Sequence, residues 1–338
     1  MYRFKVWLTW LAVLWKRILG RTAAVILAAA ALVFLFRVVI PDFRYRAAAG
    51  LRDGGHYTEA EEAFAALGDY RDAATQAKEA RYRKAMALIA GGDSRGAVGA
   101  LSGIQGYRDT DSLLKEQTRL AEAAAAREAR VAPFRRVGST VTFGRFEQDG
   151  NAENGPEAIE WTVLEAEDGK ALLMALRGLD ARPYHEEHDY ITWERCTLRK
   201  WLNGDFFLGA FTEEERRAVL LTEVDNSLAQ GFFRIESGAD TKDRVFLLSY
   251  AEMMARFPVK STRVCAPTEA AVAAGAWVSA TNSVNGRPAG WWWLRSPGSI
   301  GYDAVYVDYH GEWSSHSVDR DNVTVRPVIR IDLNAECL

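Results

Sequence analysis

The stretch HEEHD, His185 to Asp189, sets two histidines three residues apart among three acids, a donor set that could ligate a divalent metal. No third ligand of matching spacing accompanies them and the flanks read as loop, so a solvated polar loop is the preferred reading. Cys196, Cys265 and Cys337 are odd in number and show no CxxC spacing, which favours three separate thiols over a zinc site or a disulfide framework. Asp319-Arg320-Asp321-Asn322 offers oxygen ligands of the kind calcium takes. It is the one cofactor candidate, and the expectation is that no cofactor is required. No Ser-His-Asp set and no Gly-rich phosphate loop stands out.

What remains is recognition chemistry. Between Ser299 and Asn322 the chain reads SIGYDAVYVDYHGEWSSHSVDRDN, and 14 of these 24 residues are Tyr, Ser, His, Asp or Asn. Tyrosine supplies rigid amphipathic contact area, and short polar residues supply adaptable hydrogen bonds, as in a paratope. Val305 and Val307 alternate with Tyr306 and Asp308, as a strand with one buried and one open face requires. Gly311 then turns the chain, so that Trp313 is expected to return beside the tyrosines. The contact surface is therefore expected among Tyr302, Asp303, Tyr306, Asp308, Tyr309, His310, Glu312, Trp313, Ser315, His316 and Asp319. Four acids and no lysine favour a protein or carbohydrate partner over a phosphate. A merely polar surface meander is the competing reading.

These residues need a scaffold to hold them. Just upstream, GWWWLRSPG runs from Gly290 to Gly298; in an extended segment Trp292 and Leu294 share one face, and Trp291, Trp293 and Arg295 the other. Trp292, Leu294, Arg295 and Arg326 are read as interior scaffold, the arginines tying loops through forked hydrogen bonds. Further upstream, IEWTVLEAEDGKALLMAL predicts a hairpin turning at Asp168–Gly169. A helix capped by Thr192 is predicted over Trp193 to Phe206, and further helices behind Thr212, Ser249 and Thr268. The tail VTVRPVIRIDL alternates as one strand. Short strands with a few helices describe an α+β domain over residues 131–338.

Taken in order, FGRF, IEWTVLEAEDGKALLMAL, TWERCTLRKWLN, FTEEERRAVL, DRVFLLS, WWWLRSPG and VRPVIRIDL resemble a bacterial domain family of unknown function marked by a WLRS motif, over about residues 137–333. The resemblance implies a fold like that of C-type lectins and formylglycine-generating enzymes, with the WLRS segment at its centre. It carries no activity to transfer. Formylglycine-type chemistry needs paired reactive cysteines, and no matching motif surrounds any of the three. The polar stretch 299–322 between scaffold motifs also resembles the variable region of retroelement-diversified proteins.

Ahead of the domain, residues 41–130 repeat at an offset of 37, which pairs Tyr45 with Tyr82, Gly54–Gly55 with Gly91–Gly92 and Tyr70 with Tyr107. Each unit reads as two helices around a glycine turn, similar to tetratricopeptide-type repeats. Residues 22–40 are uncharged apart from Arg37 and long enough for a transmembrane helix, with a cleaved signal peptide as the alternative. Residues 1–21, carrying Trp7, Trp10 and Trp15, read as a basic amphipathic segment lying in the interface. Arg3, Lys5, Lys16, Arg17 and Arg21 outnumber Arg44, Arg46 and Arg52, which puts the N-terminus inside and the rest outside. A net charge of −3 argues against a nucleic-acid partner. The expectation is a single-pass cell-membrane protein whose lectin-like domain binds a protein or glycan ligand outside. An enzyme of unknown reaction and a structural envelope protein remain as alternatives.

Overall fold

The computed structural model describes residues 2–338; the side chains of residues 2–6, 8, 9 and 11–13, Arg3 and Lys5 among them, lie outside the described residues. Two compact units divide the chain, residues 1–126 and Arg127–Leu338.

The first unit is helical. Helix α1 (Tyr2–Phe34) continues through a π turn (Leu35–Val39) into α2 (Ile40–Asp53). No break occurs at residue 21, where the sequence suggested an interfacial segment ending and a span beginning; alanine and leucine on both sides of Gly20 keep the helix going. From Leu14 onward this helix is apolar enough to be a membrane span or a signal sequence, with a mean hydropathy of 2.7 in its most apolar window.

Helices α3 (Tyr57–Ala65), α4 (Ala73–Ala90), α5 (Ser94–Leu101) and α6 (Thr110–Val131) follow. Their geometry recurs every 37 residues. Tyr45 donates to Asp72 at 2.5 Å, and Tyr82 to Asp109 at 2.8 Å. Arg71 lies 5.5 Å over the Tyr45 ring, and Arg108 5.0 Å over Tyr82. Both arginines sit at φ 52°, a left-handed conformation an arginine adopts only under tertiary constraint. Ion pairs to Asp42 at 2.7 Å and Glu79 at 2.8 Å supply that constraint.

The second unit is α+β and β-rich. Its strands are β1 (Thr140–Phe146), β2 (Glu157–Glu167), β3 (Lys170–Ala175), β4 (Asp180–Ala181), β5 (Thr222–Val224), β6 (Thr241–Asp243), β7 (Val245–Phe246), β8 (Val278–Val284), β9 (Arg287–Gly290), β10 (Trp292–Pro297), β11 (Asp303–Val307), β12 (Trp313–Ser317), β13 (Thr324–Val325) and β14 (Val328–Asp332). One five-stranded sheet runs β1-β2-β3-β14-β7 and another β12-β11-β10-β13-β4. The β2–β3 hairpin turns at Asp168 (φ 49°) and Gly169 (φ 70°), both left-handed as a type I′ turn requires. Short helices α7 (Thr197–Trp201), α8 (Phe207–Ala210), α9 (Glu213–Ala218), α10 (Tyr250–Arg256) and α11 (Glu269–Ala273) complete it. Thr212 and Ser249 each close a full capping box, and Thr268 caps α11.

Two expectations fail here. The helix behind Thr192 starts only at Thr197, with the Cys196 sulfur accepting from the Arg199 N–H; Thr192 is buried instead. The tail is not one strand: β13 pairs with β10 and β4, whereas β14 pairs with β3 and β7. The chain changes sheets at Arg326-Pro327, where proline has no N–H to donate to a ladder.

Candidate functional site

The centre of the second unit is WWWLRSPG. Trp292, Trp293 and Leu294 are fully buried, and Arg295 is 2% exposed. The Trp292 indole N–H donates to the Arg263 carbonyl at 2.9 Å and that of Trp293 to the Arg182 carbonyl at 2.9 Å. Arg295 spends its fork on two loops and helix α10. It donates to the Leu247 carbonyl at 2.8 Å, the Asp225 carbonyl at 2.9 Å and Asn226 Oδ1 at 3.2 Å, and it grips the Glu252 carboxylate with two nitrogens. Burial pushes the Glu252 carboxyl up, but that fork, its charge and the Ser249 N–H outweigh it and hold the group below its usual value. Arg326, buried, donates from Nε to the Ala175 carbonyl at 2.7 Å and lies 5.1 Å over the Trp292 ring. Its Nη1 finds no partner among the described residues.

Register then sorts the candidate residues. Trp292 is opposite Val307, which is opposite Trp313; Trp293 is opposite Tyr306, which is opposite Ser314. Directly opposed residues share a face. Trp313 and Tyr306 therefore lie on opposite faces of the sheet, not side by side as the sequence suggested, because the five residues between Val307 and Trp313, an odd number, oppose even to even and odd to odd positions. Trp313 packs among Phe232 at 4.3 Å, Tyr250 at 4.9 Å and Phe233 at 6.1 Å.

On the Tyr306 face a shelf of half-buried rings forms. Trp277 stacks on Trp291 at 4.5 Å with 14° between planes, and Tyr309 meets Trp277 at 5.0 Å. Trp291 also meets Tyr306 at 5.3 Å and His316 at 6.1 Å. His310 extends the run beyond Tyr309 at 4.0 Å. The Trp291 indole nitrogen has no hydrogen-bond partner among the described residues. Burial, and then Arg320, lower the His316 pKa; its Nδ1 accepts the Ser317 N–H at 2.9 Å, which leaves Nε2–H as the donor. Such a surface can take the flat C–H face of a sugar ring or an apolar side chain, with polar groups at its edge. The sequence pattern does not single out Trp277. It lies 14 positions before Trp291, and a lone Trp entering a strand was the only signal for it.

The remaining candidates disperse. Tyr302, 41% exposed, stacks on His188 at 5.3 Å and meets Tyr190 at 6.2 Å. Asp303 accepts from Ser299 at 3.1 Å and from Ser315 at 3.4 Å. Asp308 is a turn former, accepting the His310 and Glu312 N–H groups at 2.8 and 2.9 Å. Glu312 pairs with Lys260, and Asp319 accepts from Ser317.

For the reactive groups the geometry is equally specific. His188 Nδ1 is 2.8 Å from Ser317 Oγ and 3.5 Å from Asp319, so hydroxyl and acid share one ring nitrogen. A serine–histidine–acid relay needs them on opposite nitrogens. His185 Nδ1 instead accepts the Thr197 N–H at 3.3 Å. Burial drives the Cys196 thiol up to about 12 and raises Cys265 as well, leaving little thiolate on either. Among the described residues, Glu147, Asp149 and Glu157 bring ligand atoms within 4.8 Å of one another. Each already accepts a backbone N–H of its own loop.

Fold and site thus define an α+β, β-rich domain that follows a helical region. Residues 168–333 match the family model described as a domain of unknown function (DUF6273), and over that stretch the chain is similar to this family. No curated protein and no solved structure matches the chain.

Proposed function

We propose that this chain is a membrane-anchored recognition protein whose C-terminal domain, of C-type-lectin-like fold, binds a protein or carbohydrate ligand without catalysis. The observation that carries the reading is the shelf of Trp277, Trp291, Tyr306, Tyr309 and His316, a continuous aromatic surface left half open. Aromatic rings grouped at a surface are the usual energetic anchors of an interface. The polar stretch 299–322, which supplies strands β11 and β12 beside the WLRS strand β10, is what supports the lectin-like reading, and its composition supports a diversified contact surface. The apolar N-terminal helix supports anchoring, and the basic residues before it support placement of the domain outside the cell.

The test is capture by the full-length protein, in detergent micelles, on arrays of glycans and of surface proteins. The double variant Tyr306→Ala/Tyr309→Ala should lose a ligand that the wild type retains, with an unchanged fold by circular dichroism. Equal capture by both would remove the shelf from consideration. Protease treatment of intact cells should release the domain; a domain degraded only after lysis would reverse the orientation.

A further inference from the structure

Where the apolar helix meets the first helical hairpin, the N-terminal unit holds an open cavity of about 640 Å³ whose walls include Phe36, Arg37, Ile40, Arg44, Leu67 and Asp69. Arg37 and Arg44 are seven residues apart, two helical turns, and so lie on one stripe of the helix. Among the described residues neither has a carboxylate within ion-pair distance, whereas Arg46 and Arg71 on the same unit are both held by Asp42, at 2.9 and 2.7 Å. Two free cations and one acid leave the cavity with a net charge of +1, which a phosphodiester neutralises. Its other walls, Phe36, Ile40 and Leu67, are apolar.

Depth points the same way. The uncharged run Thr22 to Phe36 ends at Arg37, which sets that residue at the level where hydrocarbon gives way to headgroups. Arg44 lies about 10 Å further along the axis. Helical side chains lean toward the N-terminus, so Arg44 leans back toward the bilayer while Arg37 snorkels out to meet it. The π turn Leu35–Val39, a feature that concentrates at functional sites, falls on the same cavity wall.

We infer that this cavity binds the headgroup of an anionic phospholipid, with the phosphodiester between Arg37 and Arg44 and the glycerol end against Phe36, Ile40 and Leu67. The inference rests on the reading that the N-terminal helix spans a bilayer. The full chain, reconstituted into vesicles of phosphatidylcholine and phosphatidylglycerol, is extracted and its retained lipid counted by native mass spectrometry. Phosphatidylglycerol should be enriched over phosphatidylcholine, and Arg37→Gln/Arg44→Gln should reduce that enrichment about twenty-five-fold, a factor of about five for each arginine. Arg46→Gln, on the same helix but already paired, should leave it unchanged. An equal loss with Arg46→Gln, no preference between the two lipids, or displacement by soluble glycerol phosphate would each overturn the lipid site while leaving the anchor intact. Release of the chain by alkaline extraction would overturn the anchor, and the lipid site with it.

Discussion

Trp292→Ala tests how the recognition surface is held. The indole is fully buried, its N–H satisfies the Arg263 carbonyl, and its face lies under the Arg326 guanidinium. Emptying a buried tryptophan site costs about 3–5 kcal/mol through lost transfer energy and the cavity. Stranding the Arg263 carbonyl and removing the ring beneath a buried cation place the expected loss toward the upper end of that range. For a unit the size of Arg127–Leu338, each kcal/mol lowers the melting temperature by about 2–4 °C, so a drop of about 6–20 °C is expected. Trp292→Phe keeps most of the packing but loses the donor, and should fall between, at about 1–3 kcal/mol. The assay is a thermal melt followed by near-ultraviolet circular dichroism on wild type and both variants. An alanine variant melting within about 2 °C of wild type would refute the argument, because that change is below 1 kcal/mol.

Glu252→Gln should destabilise the domain by about 3 kcal/mol at neutral pH, since it leaves the buried Arg295 without its counter-charge. The folded Glu252 pKa is depressed, so the stability its charge contributes is present above the unfolded value of about 4.3 and is lost as pH falls through the folded value. The gap between the wild-type and variant melts should therefore close on acidification; a constant gap would contradict the ion-pair account. In native protein at mildly alkaline pH a thiol reagent should spare Cys196 and Cys265 and reach Cys337 first, with all three reacting on unfolding. Rapid labelling of Cys196 in the folded state would contradict its burial. In the helical unit, Tyr45→Phe and Tyr82→Phe should each cost about 0.5–1.5 kcal/mol in denaturant titrations, and by similar amounts, because each removes the equivalent hydrogen bond to Asp72 or Asp109. Unequal losses would mean the two units are not energetically equivalent.

Local signals were legible in the sequence because local physics writes them. The Asp168–Gly169 turn needs left-handed residues, and the capping boxes at Thr212 and Ser249 need an acid three positions on. The 37-residue offset showed in paired tyrosines and glycines, and the structure adds the left-handed Arg71 and Arg108 that complete each unit. What escaped was long-range. Alternation in the tail says that residues are buried, not which sheet buries them, so the change of sheet at Arg326-Pro327 was invisible. The face of Trp313 depends on the register of β11 against β12, and one residue of slip would exchange the faces. Trp277 joins the shelf through tertiary packing against Trp291 and Tyr309, which no local pattern announces.

The central claim is that the half-open rings form a binding surface, and the most direct measurement is a calorimetric titration of the strongest array ligand into the full-length protein and its Tyr306→Ala/Tyr309→Ala variant. Losing two aromatic anchors should weaken binding at least about tenfold, with the melting temperature within a few degrees of wild type. An unchanged affinity, or turnover of the ligand in place of stoichiometric binding, would contradict the account.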